Sequence, residues 1–340
     1  MLATIWFLLW GILWAVYFIL DGFDLGLGTL SPFLARTEKE KQVVYQAMGP
    51  FWNGNEVWLI TAGGVTFAAF PLTYAVMFSS LYSALMLVLF ALILRGVSIE
   101  FRGLVASAGW RRFWDGGVFL GSFLPALLFG VAFANIFKGI PINAEGVNQG
   151  GLLDLLNPYG LLGGLFFLSL FLQHGALWLA RRTEGRLSQQ AGSLASSLWV
   201  PVLILAVLFL AATYGYTSLW NNYFRNPLLL IVPLLAVACL LLTRLKMSGK
   251  SWTGAWGFSG ATIALCTLFG VIGLYPNLFP SSLNPAWSLT VSNSSSSPLT
   301  LKIMLAVALV FVPIVIIYQF FVYRAFNEKI SADHIKEEGY

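Results

Sequence analysis

Charged residues are scarce in this chain of 340 residues. Lysine, arginine, aspartate and glutamate together make up 10% of it, whereas hydrophobic residues make up 58%. A soluble domain usually carries about 25% charged residues. Residues 187–224, 251–301 and 303–323 contain none of these four residue types. The composition excludes an ordinary water-soluble domain and predicts an all-α polytopic membrane protein, because about 20 apolar residues form a helix that crosses a bilayer.

Cysteine and histidine are equally scarce, with two of each. Cys239 and Cys266 lie in apolar runs without a redox or zinc spacing. His334 lies in the polar tail, and His174 lies in an apolar segment. His174 could ligate a metal or haem, or it could be hydrogen-bonded to a neighbouring helix. Because paired histidines and Cys-x-x-Cys-His are absent from the sequence, we predict no metal or cofactor site on this chain.

The net charge of +5 does not indicate a nucleic-acid partner. A nucleic-acid footprint needs basic residues clustered on one face, whereas here they lie in short loops between apolar segments. Apolar runs of this length also exclude a β-barrel, whose strands alternate over about 10 residues. The first 20 residues lack a basic start and an Ala-x-Ala site, so we expect a retained first span and no cleaved signal peptide.

Nine apolar segments predict about nine transmembrane helices, or eight if one segment is re-entrant. The Phe70-Pro71-Leu72 turn separates the second from the third, because proline cannot continue the hydrogen bonding of a helix. The segments are 2–31, 52–70, 72–95, 116–137, 160–180, 194–217, 227–243, 255–275 and 302–323.

The basic residues predict the orientation in the membrane, since lysine and arginine accumulate in cytoplasmic loops. With the N-terminus outside and the C-terminus in the cytoplasm, only Lys138, Arg225 and Lys302 lie outside. The other 16 basic residues lie inside: Arg36, Lys39, Lys41, Arg95, Arg102, Arg111, Arg112, Arg181, Arg182, Arg186, Arg244, Lys246, Lys250, Arg324, Lys329 and Lys336.

Two longer outside loops suggest how the chain is divided. We expect a first four-helix half with an acidic cluster at 1–137 and an extracytoplasmic loop at 138–159. A second four-helix half at 160–275, an extracytoplasmic loop at 276–301, and a ninth helix with a cytoplasmic tail at 302–340 follow. The Ser-rich stretch 292–297 is typical of a solvated connector.

Few acids lie within the apolar segments, and each is a functional hypothesis because a charge in the bilayer is costly. Asp21 and Asp24 share one helix face, and Glu56 lies in the first turns of the second segment. All three fall in the predicted cytoplasmic half. They could form a proton entry path, or they could cap helices and pair with Arg95 or Arg102. The nearby glycines, at 22, 26, 28, 54, 63 and 64, are expected to let helices pack closely.

Four stretches are typical of one family. Asp21-Gly22-Phe23-Asp24-Leu25-Gly26 and Trp52-Asn53-Gly54-Asn55-Glu56-Val57-Trp58-Leu59-Ile60-Thr61-Ala62-Gly63-Gly64 resemble subunit II of the cytochrome bd quinol oxidases. Asn157-Pro158-Tyr159-Gly160-Leu161 and Pro280-Ser281-Ser282 resemble it too. The markers keep the family's order and spacing over most of the chain.

The resemblance implies a haem-free subunit of a respiratory complex in the bacterial inner membrane, which oxidises quinol and reduces O2 to water. It implies two four-helix bundles plus a peripheral ninth helix, paired with subunit I. Subunit I would carry two b-type haems and one d-type haem, and would handle quinol and O2. Charge would be separated across the membrane without proton pumping. A single-helix small subunit and a bound quinone or lipid are left open.

The resemblance also implies proton-pathway residues on this chain: Asp21, Asp24, Glu56, Asn53 and Glu100. Many relatives have Trp-Asp-Gly-Asn-Gln where this chain has Trp52-Asn53-Gly54-Asn55-Glu56, so the carboxylate has moved by one helical turn. Two alternatives stay open. The subunit could be purely structural, or the chain could be a proton-coupled secondary transporter, although its acids lie toward one face and no inverted repeat is visible.

Overall fold

The computed structural model describes residues 1–331, and these residues are mostly helical. His334 and Lys336 of the predicted polar tail lie outside the described residues. The helices of the described part are α1 (Leu2–Leu34), α2 (Glu38–Met48), α3 (Trp52–Ala69), α4 (Pro71–Ser80), α5 (Tyr82–Phe101), α6 (Ala108–Lys138), α7 (Pro158–Arg182), α8 (Gly185–Tyr216), α9 (Trp220–Arg225), α10 (Ile231–Ser248), α11 (Trp252–Leu274), α12 (Val291–Ser294) and α13 (Pro298–Ala325).

Eight helices in the described part are long and apolar enough to cross a membrane. They are α1, α5, α6, α7, α8, α10 with the 3₁₀ turn before it, α11 and α13. This confirms the predicted all-α polytopic class. The segment 52–70 forms α3, whose 18 residues span about 27 Å. Its polar first turns lower its hydropathy, so the ninth span remains a prediction.

Several helices run beyond the apolar segments. The segment 72–95 forms two helices, α4 and α5, which meet at Leu81, and α5 continues to Phe101. Helix α6 begins at Ala108, eight residues before the predicted segment, and so includes Arg111, Arg112 and Asp115. Apolar length therefore underestimates these helices, because their charged ends extend past the hydrocarbon core.

Helix α1 lies at the centre of the bundle and packs against α3, α6, α7 and α11. Its aromatic side chains interlock with those of α6 and α7: the ring centroids of Trp14 and Phe133 lie 5.0 Å apart, and those of Phe18 and Phe167 lie 5.1 Å apart. Because α7 follows the predicted boundary between the halves, the core of the bundle includes helices from both halves.

Close helix contact is confirmed for three of the predicted glycines. A methyl group at Gly26 would overlap the carbonyl of Phe171, one at Gly22 would lie 2.7 Å from the Phe171 ring, and one at Gly28 would overlap Ser122. For the glycines of α3 close packing stays a prediction. Gly54, Gly63 and Gly64 have nothing from the described residues within 4 Å of an added Cβ, because these sites on α3 face away from the neighbouring helices.

The Asn157-Pro158-Tyr159-Gly160 stretch sets the start of α7. Asn157 caps the helix by accepting from the N–H of Gly160, and Pro158 takes the first helical position, where its missing N–H costs nothing. Tyr159 is bonded to Thr213 of α8 at 2.8 Å. This stretch is therefore a capping motif that orients α7 and α8.

The connection 276–301 is more ordered than a solvated connector. Strands β1 (Asn277–Phe279) and β2 (Leu289–Thr290) pair antiparallel. Ser296 donates its N–H to Ala69 O at 2.9 Å and its hydroxyl to Ala68 O at 2.6 Å. The carbonyls at a helix end lack intrahelical partners, so part of the serine-rich stretch satisfies the end of α3.

The α1–α2 and α5–α6 connections meet at one end of the bundle, here called the basic end. Arg102 binds Asp115 at 2.6 Å and Glu38 at 2.8 Å, and Lys41 binds Asp115 at 2.6 Å. Burial raises the pKa of Tyr45, and the neighbouring Asp115 carboxylate raises it further. This network attaches α2 to α5 and α6.

The start of α2 is fixed by a capping box between Thr37 and Glu40. The Glu40 carboxylate accepts from the N–H groups of Arg36 and Thr37 at 2.8 and 3.1 Å. Burial acts to raise the pKa of Glu40, but these backbone donors outweigh it and lower the pKa below its ordinary value. Glu40 therefore stays ionised and holds the turn between α1 and α2.

We expect Gly26→Ala to destabilise the chain by about 1–3 kcal/mol, because the new methyl would overlap the backbone of α7. Thermal unfolding in detergent measures the effect. Gly257→Ala in α11 is the matched control, since nothing described lies within 4 Å of its added Cβ. Equal unfolding temperatures for the two variants would show that α1 and α7 do not need this close contact.

Candidate functional site

Two carboxylates of α1 are sealed inside the bundle. Asp21 is 0% exposed and Asp24 is 1% exposed. Asp21 accepts from the Tyr17 hydroxyl at 2.9 Å and from Arg95 Nη2 of α5 at 2.7 Å. Buried charges in an apolar bundle need a partner, and Asp21 has one of opposite charge.

Arg95 joins three helices. Its Nη2 atom also binds Glu56 Oε1 of α3 at 2.5 Å, so one guanidinium links α1, α3 and α5. Arg95 is 1% exposed, whereas the Glu56 side chain is 23% exposed. The ion pair therefore runs from the sealed interior to the surface of the chain.

Asp24 belongs to a different set of contacts. Its Oδ2 atom accepts from Asn55 Nδ2 at 2.7 Å, and the same amide nitrogen donates to Leu20 O at 3.0 Å. Its Oδ1 atom is buried and has no hydrogen-bond partner among the described residues. No lysine or arginine among residues 1–331 forms an ion pair with Asp24.

Asn55 continues this set to α13. Its Oδ1 atom accepts from the Tyr323 hydroxyl at 2.9 Å and from Gln319 Nε2 at 3.5 Å. Gln319 in turn accepts from the indole N–H of Trp58 at 2.9 Å. The cluster thus has two parts: a charged part built on Arg95, and a neutral network that ends at Asp24.

The structure brings together three of the five predicted residues. Asp21, Asp24 and Glu56 lie in the cluster, whereas Asn53 and Glu100 are exposed and lie outside it. Residues two positions apart on a helix point about 200° apart, so α3 turns Asn55 inward and Asn53 outward. Asn55 therefore lies in the cluster, whereas the predicted pathway residue Asn53 lies on the exposed face of α3.

Sequence reasoning missed Tyr17, Gln319 and Tyr323, and named Arg95 only as a pairing partner. Arg95 gives a signal, since it is the first charged residue after Glu56 and lies at the end of an apolar segment. Gln319 and Tyr323 lie four residues apart in the mostly apolar α13, on one helix face. That spacing predicts a polar contact but does not identify α3 as the partner.

His174 is hydrogen-bonded to its neighbours, as one of the two hypotheses required. Nδ1 lies 3.1 Å from Ser259 Oγ, and Nε2 lies 3.2 Å from the carbonyl oxygen of Ile19. A carbonyl only accepts, so Nε2 carries the proton and Nδ1 accepts from Ser259. Both ring nitrogens are used, so His174 does not fit a haem or metal ligand. Residues 1–331 contain no cluster of three or more metal-ligating side chains.

The family model for cytochrome bd terminal oxidase subunit II matches residues 2–326. The chain belongs to the cytochrome bd terminal oxidase subunit II family. Members of this family are subunits of an oxidoreductase, and the name cytochrome implies haem in the complex.

Curated relatives match nearly the whole chain. Cytochrome bd ubiquinol oxidase subunit 2 of Bacillus subtilis is 38% identical over 331 residues, which cover 97% of this chain and 97% of the relative. Cytochrome bd-I ubiquinol oxidase subunit 2 of Escherichia coli K12 is 36% identical, covering 98% of this chain and 97% of the relative. A chain of the bd oxidase from Geobacillus thermodenitrificans shares the fold, with a TM-score of 0.76, 19% identity, and coverage of 96% of this chain and 98% of that chain.

Arg95→Gln in this subunit II chain is expected to destabilise it by about 3–5 kcal/mol, because the buried Asp21 and the half-buried Glu56 lose their cation. The yield of folded chain and its thermal unfolding measure the loss. Arg112→Gln, an exposed arginine, is the control.

Neutralising the partners as well should recover much of the stability. The triple variant Arg95→Gln, Asp21→Asn, Glu56→Gln leaves no unpaired charge at the ion pair. If Arg95→Gln alone were as stable as the unchanged protein, the ion pair would not be a structural requirement.

Proposed function

We propose that this chain is the haem-free subunit II of a quinol:O2 oxidoreductase in a bacterial cell membrane. It scaffolds subunit I and carries protons from the cytoplasm toward the site of O2 reduction. Family membership and relatives named as ubiquinol oxidase subunits support the oxidase part. The quinol, the O2 and the two b-type and one d-type haems belong to subunit I in this proposal.

One observation carries the proton role: Asp24 is buried without a cation. If Asp21, Asp24 and Glu56 were all ionised, the single Arg95 would leave the cluster with two uncompensated negative charges. A buried carboxyl without a counter-ion tends to be neutral. Asp21 and Glu56 are ion-paired with Arg95, so we assign the uptake and release of a proton to Asp24.

Glu56 supports a route out of the chain toward subunit I. It is the half-buried member of the cluster, and the neighbouring exposed positions of α3 form a continuous stripe. A charged side chain is costly against lipid, so we assign this surface to contact with subunit I. The stripe consists of Asn53, Gly54, Val57, Ile60, Gly64 and Phe67.

The predicted orientation supports entry from the cytoplasm. The cluster lies in the part of α1, α3 and α5 nearer the basic end, which the distribution of lysine and arginine assigns to the cytoplasm. Uptake on this side would separate charge without pumping if electrons from quinol arrive near the outer face.

A cavity of about 810 Å³ lies between α1, α3 and α13. Its lining is almost wholly apolar and includes Trp6, Leu13, Val65, Val307 and Phe311. This shape and chemistry support the binding of a lipid or quinone tail, which the family resemblance left open. A single-helix small subunit has no comparable support in the described contacts.

A purely structural subunit is the second candidate, and the Arg95 bridge favours it for two of the acids. Asp21 and Glu56 are ion-paired as a structural cluster would be. The structural role and the proton role are compatible, because Asp24 is outside the ion pair. The transporter hypothesis has no observation of its own.

Asp24→Asn is expected to slow quinol-driven O2 uptake by about tenfold or more, the scale for losing a proton-transfer group. The change keeps the oxygen that accepts from Asn55 and removes the proton site. Uptake per haem and the visible spectrum are measured on complex purified through a tag on this chain.

Glu145→Gln is the matched control, because it neutralises an exposed carboxylate of the loop between α6 and α7. Assembly and haem spectra should be unchanged in both variants. Full turnover in assembled Asp24→Asn complex would refute the proton role and leave the structural candidate. Colourless material containing this chain alone would refute the oxidase proposal.

A further inference from the structure

Helix α13 is attached to the rest of the chain mainly at its two ends. Near its first turn, Leu301 O accepts from the Trp6 indole at 3.0 Å, and near its last turns Gln319 and Tyr323 contact Asn55. The cavity of about 810 Å³ separates its middle from α1 and α3. Among its residues only Leu301 is buried. The polar contacts at the basic end are therefore a large part of what fixes this helix.

These contacts determine which way two amide groups point. The Trp58 indole N–H can only donate, so it requires Gln319 Oε1, which leaves Gln319 Nε2 facing Asn55. Asn55 then presents its oxygen to Gln319 and to the Tyr323 hydroxyl. Its NH2 group must face the other way, toward Asp24 and Leu20 O.

The reverse orientation of Asn55 is disfavoured twice. Its oxygen would face the oxygen of an ionised Asp24 and Leu20 O, and its NH2 group would face the N–H donor of Gln319. An amide that loses its donors on one side can turn over at little cost in shape, since its oxygen and nitrogen are nearly the same size. Tyr323 and Gln319 therefore oppose the turn on one side of the amide, and Asp24 and Leu20 O oppose it on the other.

We propose that Tyr323 and Gln319 of α13 are positioning residues, which hold the Asn55 amide as a donor to Asp24 Oδ2 and so direct the transferred proton to Asp24 Oδ1. This inference rests on the proposed function of Asp24. Oδ1 is the oxygen with no partner among the described residues, and it is where a proton adds to the carboxylate. No other co-reactant is required.

The other charged and titratable groups around Asp24 come from five helices. Tyr17 and Asp21 lie on α1, Glu56 on α3 and Arg95 on α5. His174 and Arg181 lie on α7, and Tyr323 itself lies on α13. None of them donates a hydrogen bond to Asp24, so Asn55 is the donor whose loss alters its protonation.

The first test is Tyr323→Phe in the assembled oxidase. Without the hydroxyl, Asn55 is held less firmly and stabilises ionised Asp24 less, so Asp24 keeps its proton to higher pH. We expect the alkaline limb of quinol-driven O2 uptake to move up by about 0.5 pH unit, from the loss of about one hydrogen bond. Tyr318→Phe, which removes the same hydroxyl at a position of α13 that is 67% exposed, should not move it.

An infrared difference spectrum gives a readout that does not depend on turnover. The carboxylic C=O band that disappears in Asp24→Asn identifies protonated Asp24. Tyr323→Phe should shift this band, and Tyr318→Phe should leave it in place. Gln319→Met, in which the side chain has a similar volume, is the second variant. It should shift the band and the alkaline limb in the same direction as Tyr323→Phe, but by a smaller amount.

The outcomes separate the two proposals. If Asp24→Asn leaves turnover unchanged, the proposed proton function is wrong whatever Tyr323→Phe does. Asp24→Asn could slow turnover and remove the carboxylic band. If Tyr323→Phe and Gln319→Met then leave this band and the alkaline limb of O2 uptake in place, only the positioning role is wrong. If Tyr323→Phe or Gln319→Met shifts the band and the alkaline limb, and Tyr318→Phe shifts neither, the positioning role is supported.

Discussion

The ion pair of Arg95 with Asp21 and Glu56 is the interaction on which the candidate site depends. The Arg95 guanidinium is 1% exposed, so its positive charge needs nearby negative charge. Both carboxylates that supply it come from other helices. Helix α6 closes the far side, since an added Cβ at Gly121 would lie 2.7 Å from Arg95 N. The positions of α1, α3 and α5 are thus coupled through one side chain, and α6 packs against its backbone.

The same ion pair explains why the three acids differ. The three carboxylates are close in sequence or in space, and residue type alone does not distinguish them. Arg95 forms ion pairs with two of them, whereas the third has no ion pair with a lysine or arginine of the described residues. The structural and the proton hypotheses thus apply to different members of one cluster.

Much of this could be predicted from local patterns. Long uncharged runs predict the spanning helices, and Asp21 and Asp24 are placed on one face by their spacing. The helix ends at Phe101 and Ala108 could not be found from hydropathy, because charged turns extend past the apolar segments. That α3 turns Asn55 inward and Asn53 outward could not be predicted, because the rotation of this helix depends on its neighbours. Tyr323 lies 268 residues from Asn55 in sequence, and no local pattern contains that contact.

The attachment of α13 has a consequence for biosynthesis. The acids and Asn55 lie within the first 56 residues, but the donors that satisfy the Asn55 oxygen come from α13, the last helix of the described chain to be made. Before α13 is inserted, the Asn55 oxygen lacks both of its donors. The site is therefore completed only by the last helix of the described residues.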